Sequence, residues 1–271
     1  MKIGIVYKEG NKKAESTAKA VYEFLKKKVH LVLAEKNLEG SEIILIFGGD
    51  GTLIHKACEY AALNVPFVGI NTGNLGFLTA AEVQDWQKAV DKLIKGQIVV
   101  SERMTLEASL EKSEIRNPKS ENSYRALNEV VIKGLYRIIE LEISVNGEKF
   151  LKIVGDGVIV ATQTGSTAYS LSAGGPIVDP DLDSMLITPI NPIGLPIPSV
   201  VLSPKDVIKV KTESGEDISL VIDGQEHTKL KEGQTVKITR GKYNVKFGYF
   251  DKHQFLKSLN AKFGLSARLL G

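Results

Sequence analysis

Five consecutive apolar residues, Ile43 to Phe47, run directly into Gly48, Gly49, Asp50, Gly51 and Thr52. An apolar run this short, without alternation and cut off by glycines, describes a strand buried on both faces of a parallel sheet. The glycines then fall at the carboxyl end of that strand, the edge at which open α/β sheets bind ligands. Three glycines around one acid let backbone N–H groups approach a phosphate while the carboxylate points into the crevice. The same residues also describe a tight turn in which Asp50 caps a helix starting near Thr52, and the segment alone leaves both readings open.

The flanking sequence supplies the rest of such a sheet. Residues 2 to 7 (KIGIVY) read as a buried strand, and residues 12 to 28 place Ala14, Ala18, Val21 and Leu25 at helical spacing among lysines. Further strands are expected over 29 to 34 and 66 to 70, the latter with Pro66 at its first position, where a missing donor is tolerated. Helices are expected after the glycines, around Leu53, Ala57 and Tyr60 to Ala62, and over 82 to 95, ended by Gly96. Strands alternating with helices imply βαβ units with right-handed crossovers.

From about Val99 the period changes. Residues 105 to 111, 137 to 144, 207 to 212, 218 to 223, 235 to 240 and 243 to 250 alternate apolar with polar between turn residues such as Asn146-Gly147 and Gly215. Period 2 at this spacing predicts antiparallel strands with one wet face. The interruptions are 164 to 180, whose small residues suit a tightly packed short helix, and a proline-rich loop from Pro189 to Pro204. The tail regains helical spacing at Leu256, Leu259 and Phe263. The expected organisation is an α/β nucleotide-binding domain over 1 to 98, joined by the tail from about 252 to 271, and a mostly β domain over 99 to 251.

Composition narrows the function classes. In 271 residues, 43% are apolar and 25% charged, as in an ordinary globular protein. A net charge of +3, spread along the chain, argues against a nucleic-acid partner. The sole cysteine, Cys58, excludes an internal disulfide and fits a reducing cytoplasm. Met1 leads straight into a strand, so no secretory signal is expected, and no apolar run approaches the ~20 residues needed to cross a bilayer. His30, His55, His227 and His253 are scattered, so no transition-metal site is expected.

Asp-Gly recurs at Asp50-Gly51, Asp156-Gly157 and Asp223-Gly224. The third lies inside what reads as a hairpin and is taken as a turn dipeptide. The second leads through a strand-like run, Val158 to Ala161, into Thr164-Gly165-Ser166-Thr167, a helix start whose free N–H groups suit an anion or a polar ligand edge. Ordinary N-capping by Thr164 or Ser166 explains the same residues.

Taken together and in order, GGDGT (48 to 52), NTGNLGF (71 to 77), Asn128-Glu129, GDGVIVATQTGSTAY (155 to 169) with GGPIVDP, and ITPINP (187 to 192) resemble the NAD kinase family from residue 1 to about 250. GGDGT alone is shared with diacylglycerol kinases, sphingosine kinases and phosphofructokinases; the combination is far more specific. The resemblance implies a Rossmann-like parallel-sheet domain followed by a C-terminal β-sandwich domain. It also implies transfer of the ATP γ-phosphoryl group to the adenosine ribose 2′-hydroxyl of NAD.

On that resemblance Asp50 is the general base, and Gly48, Gly49, Gly51 and Thr52 let the ATP phosphates approach. Mg²⁺ or another divalent cation would be held mainly by those phosphates and water, because the sequence offers no cluster of protein ligands. Asn128 and Glu129 are expected at the adenosine ribose and Asp156 toward the nicotinamide half. Thr167, Ala168 and Tyr169 would border the dinucleotide, with Ser166 and Ser172 nearby and Asn74 and Phe77 closing over the adenine; Asn191 and Gln225 complete the candidates. A homodimer or homotetramer is implied. Three rivals stay open: a lipid kinase, which would want an apolar mouth; a sugar-phosphate kinase, which would want several arginines; and a non-catalytic NAD(P) sensor, which would need no base at Asp50.

Overall fold

The structure, a computed structural model, describes residues 1–28, 31–34, 37–73, 76–111, 123–194 and 196–264. The chain forms two compact units, Met1–Glu102 with Val245–Gly271, and Arg103–Asn244.

The first unit is built on β1 (Lys2–Tyr7), β2 (Leu31–Ala34), β3 (Ile43–Gly48), β4 (Pro66–Asn71), the short β5 (Ala81–Glu82) and β6 (Val99–Arg103), with α1 (Lys12–Lys27), α2 (Asp50–Glu59) and α3 (Trp86–Ile94). Strand order is β2-β1-β3-β4, then the late strand Val245–Tyr249, then β6, with β5 added beside β4. Every pairing from β2 to the late strand is parallel. Every residue of β3 is buried, as an unalternating apolar run requires. Ala14, Ala18, Val21 and Leu25 of α1 pack with Phe47 of β3, Val68 and Ile70 of β4, and Val90 and Leu93 of α3. Asn11 caps α1 by accepting from the Ala14 amide at 3.0 Å.

Three details differ from the sequence reading. Residues 243 to 250 alternate like the strands of the second half, yet Val245–Tyr249 lies parallel to β4 in the first unit's sheet. Alternation reports which residues are buried, not which sheet buries them. The helix after the glycines starts at Asp50 with Gly49 as its N-cap, so Asp50 is not the cap but the first helical residue. The helix expected over 82 to 95 begins only at Trp86, after β5 and a 3₁₀ turn, Val83–Asp85.

The second unit contains β7 (Leu106–Leu110), β8 (Ser123–Ala126), β9 (Glu129–Gly134), β10 (Ile139–Val145), β11 (Glu148–Gly155), β12 (Gly157–Thr162), β13 (Met185–Ile190), β14 (Val200–Leu202), β15 (Ile208–Ser214), β16 (Ile218–Ile222), β17 (Gln225–Leu230) and β18 (Thr235–Arg240). They form two six-stranded sheets, ordered β11-β10-β15-β18-β7-β8 and β14-β13-β12-β9-β16-β17. Among the described residues the strands of both sheets pair antiparallel. Leu141, Ile143, Val210 and Ile238 of one sheet share a single core with Val130, Ile132, Val158, Ile187 and Leu220 of the other, which makes the unit a β-sandwich.

The expected proline-rich loop is partly strand. Pro189 pairs with Val158 inside β13. It is tolerated because β14 pairs only with Met185 to Ile187, so no ladder partner waits for an N–H at position 189. The outer face of the second sheet, at Val131, Ile159, Ala161, Leu186 and Ile190, is covered by Ala173 and Val178 from the small-residue segment. That segment is a 3₁₀ turn, Gly165–Thr167, and one helical turn, Tyr169–Ser172. No helix among the described residues is long and apolar enough to cross a membrane.

Candidate active site

In the first unit the glycine-rich loop leaves β3 at the point where strand order reverses between β1 and β3, the position at which such sheets bind ligands. Asp50 opens α2, and its carboxylate is held from outside the helix. Oδ2 accepts from the Phe77 amide at 2.6 Å and Oδ1 from the Leu78 amide at 3.1 Å. One oxygen takes each donor, so the group is oriented while lone pairs remain for another partner. A Cβ on Gly76 would collide with the same carboxylate, which is why a residue without a side chain stands there. At Gly49 and Gly51, by contrast, apart from the adjoining residues and the helix's own backbone, no atom of a described residue lies within 4 Å of where a Cβ would sit. Room beside the first turn of a helix, where N–H groups are free, is what a phosphate needs.

The segment that holds Asp50 is itself pinned at both ends. The Thr72 amide donates to Gly48 O at 3.2 Å and the Ala80 amide to Gly69 O at 2.8 Å. The fully buried Asn71 donates Nδ2 to both oxygens of Glu82, at 3.0 and 3.2 Å, and accepts from the Gly73 amide at 3.0 Å. Phe77, expected to close over a ligand with its ring, serves Asp50 through its main chain. Its ring packs against Phe263, centroids 6.1 Å apart, with Lys262 Nζ 4.0 Å from the ring centroid. Asn74 lies outside the described residues.

In the second unit the structure gathers the main chain of Asn128 and Glu129 around Asp223, which reads in the sequence only as a turn residue, and sets the Tyr169 main-chain N–H against Glu129. Asp223 accepts from three successive amides: Leu127 at 2.8 Å, Asn128 at 2.8 Å and Glu129 at 3.0 Å. The Asp223 amide returns a bond to Glu129 O at 3.0 Å. Asp223 and Gly224 do form the expected two-residue hairpin turn, with φ of +46° and +80° between paired Ile222 and Gln225. The turn reading was right and incomplete. The available signal was that this Asp-Gly, like Asp50-Gly51, ends a largely apolar strand.

Glu129 is 5% exposed, and among the described residues its Oε2 has no hydrogen-bond partner. Burial raises its pKa to about 8, the Asp223 charge adds to that rise, and the Tyr169 main-chain N–H opposes it. An unsatisfied carboxyl oxygen in a buried position is a group waiting for a polar ligand edge.

The other expected residues fall into two sets. Asp156 and Asn191 are together, Asn191 Nδ2 donating to Asp156 Oδ2 at 2.7 Å. Ser166 is buried and committed internally, donating to Gln163 O at 2.7 Å and accepting from the Val178 amide at 3.0 Å. Thr167 donates to Thr164 O at 3.3 Å, whereas Ser172 and Gln225 are exposed and Ala168 is half-buried. Behind the turn, Gln163 Nε2 donates to Asp183 at 3.0 Å, and Asp183 pairs with Arg240 at 2.8 Å, a support that the sequence did not announce.

Comparison with known proteins places the chain in a family and its fold among solved structures. The family models described as ATP-NAD kinase N-terminal domain and ATP-NAD kinase C-terminal domain match residues 36–98 and 127–249. An NAD kinase of Natranaerobius thermophilus is 38% identical over 227 residues, covering 83% of this chain and 78% of the relative. One of Desulforamulus reducens is 40% identical over 224 residues, covering 82% and 76%. Among solved structures, an NAD kinase of Archaeoglobus fulgidus in complex with ATP is 27% identical, with TM-score 0.75, covering 95% of this chain and 96% of that one. The yeast NADH kinase complexed with NADH, at 21% identity, shares the fold with TM-score 0.86 over 97% of this chain and 87% of that one. The chain, with its glycine-rich loop and its Asn-Glu pair, therefore belongs to the NAD kinase family.

Proposed function

We propose that this protein transfers the γ-phosphoryl group of ATP to the 2′-hydroxyl of the adenosine ribose of NAD, with Asp50 as general base. The hydroxyl oxygen attacks the γ-phosphorus, the bond from that phosphorus to the β,γ-bridging oxygen breaks, ADP leaves, and the hydroxyl proton passes to Asp50. A sugar hydroxyl is a poor nucleophile, so a positioned carboxylate contributes where the nucleophile is weakest, and the remaining stabilisation comes from holding the phosphates in line. The observation that carries the assignment of Asp50 is its seat, where two amides fix its direction beside glycines that leave room for a ligand.

In this reading Asn128 and Glu129 hold NAD at the ribose, with Tyr169 beside them, and Asp156 with Asn191 takes the nicotinamide half. Gly49, Gly51 and Thr52 admit the phosphates. A divalent cation would neutralise phosphate charge, and it would arrive on the nucleotide: among the described residues no group of three or more His, Cys, Asp or Glu side chains is gathered to hold one. The chain works in the cytoplasm as a homodimer or homotetramer.

The test is a coupled assay with NAD and either MgATP or polyphosphate, scored by an NADP-specific dehydrogenase, with Asp50→Asn alongside. NADP formation that falls about 10²- to 10⁴-fold in the variant, with NAD affinity kept, supports the base assignment. Wild-type rates in the variant remove Asp50 from that role, and no NADP from the wild type with either donor overturns the reaction.

A further inference from the structure

We propose that Asp223 is a positioning residue for NAD, fixing the Asn128-Glu129 corner from which NAD is held. The inference rests on the reaction proposed above. One carboxylate gathering three consecutive main-chain amides is more than a hairpin requires. The turn is already satisfied by the left-handed conformations of Asp223 and Gly224 and by the pairing of Ile222 with Gln225. The three donors, Leu127, Asn128 and Glu129, form the corner between β8 and β9, and each bond to a charged acceptor fixes one peptide plane there. The direction in which the Asn128 and Glu129 side chains leave the backbone is thereby set by a side chain 95 and 94 residues further along the chain.

Asp223 also acts on Glu129 through space. Among the described residues it is the charged group that bears on Glu129, and the Tyr169 main-chain N–H is the opposing donor. Neutralising Asp223 removes a like charge, so Glu129 must ionise at lower pH in the variant. That shift follows from the charge alone, so it is the selective rise in the KM for NAD that separates positioning from mere turn closure.

The experiment compares Asp223→Asn with wild type in steady-state kinetics and in NAD binding from pH 6 to pH 9. An asparagine offers one acceptor oxygen and directs an NH₂ at amides that are themselves donors. The expected result is a KM for NAD raised about tenfold or more, as loss of hydrogen bonds to a charged group implies, and a KM for ATP within about twofold. The pH midpoint of NAD affinity moves downward. Equal rises in both KM values, or an unmoved midpoint with unchanged NAD affinity, overturn the proposal. If Asp223→Asn does not fold, Asp223→Glu is measured instead. It keeps the charge and both acceptors at one methylene's displacement, and it must raise the KM for NAD selectively while leaving the midpoint near its wild-type value; a variant identical to wild type overturns the proposal. Wild-type enzyme that makes no NADP is failure of the reaction itself, and is read from the same plates before any variant is scored.

Discussion

Glu129 carries the most direct consequence at the residue scale. Its ordinary pKa is 4.5, and in the folded protein burial first, and the Asp223 charge second, lift it to about 8. The folded state therefore binds a proton that the unfolded chain has released between those values. Stability from this group is fully present below pH 4.5 and is lost as pH rises through 8, on the order of a few kcal/mol over the window. Glu129→Gln removes the titration, and its amide can donate toward Asp223. Thermal unfolding should show the variant gaining on wild type progressively from pH 4.5 to pH 8. A difference that stays constant with pH would show that Glu129 ionises normally. Asp50 and Asp223, by contrast, are both carboxylates held by main-chain amides, and both belong to Asp-Gly dipeptides whose local spelling is the same. What separates them is the donor: the loop after β4 for one, the start of β9 for the other.

At the scale of elements, the loop after β4 is the part on which the chemistry leans. Its amides seat Asp50, and the C-terminal helix Gln254–Phe263 lies against it. Lys262 and Phe263 cover the Phe77 ring, and Gln254 reaches Thr79 O at 3.4 Å. The helix thus braces the loop through a ring whose own backbone holds Asp50, the proposed base. Phe263→Ala should cost about 1 kcal/mol or more of stability, because Phe263 is partly exposed and only part of a full aromatic burial is lost. It should also lower kcat a few-fold while leaving the KM for NAD near wild type, a split readable in the same coupled assay. A change in KM alone would show that the helix does not act through Asp50. The tail's helical spacing was legible from Leu256, Leu259 and Phe263. What the helix braces was not, because an apolar stripe states that a face is covered and leaves its partner unnamed.

For the molecule as a whole, the division into a parallel α/β unit and a β-sandwich follows from two periods in one sequence. Edges remain in the sandwich: β11 exposes Phe150 at 44%, and β14 exposes Val201 at 51%. Apolar residues on unpaired edges invite association, which is where the proposed homodimer or homotetramer would form. Light scattering at working concentration should give two or four times the 29.5 kDa chain mass, and the single-chain mass would contradict it.

By itself the sequence determined the period of each half, the buried strand that ends in glycines, and the set of residues that resemble an NAD-phosphorylating site. These are local quantities: alternation, run length and turn chemistry act between near neighbours, so they are written where they act. Only the tertiary structure decided that Val245–Tyr249 returns to the first sheet, that Phe77 serves with its amide, that Ser166 is spent on internal bonds, and that Asp223 holds Asn128 and Glu129. The strand return, the Phe77 amide and the Asp223 carboxylate each depend on a hydrogen bond or a pairing between segments far apart in the chain, and the bonds of Ser166 on how its own turn folds back. A backbone N–H has the same identity in every residue but proline, so nothing in the sequence names the carboxylate that it will find.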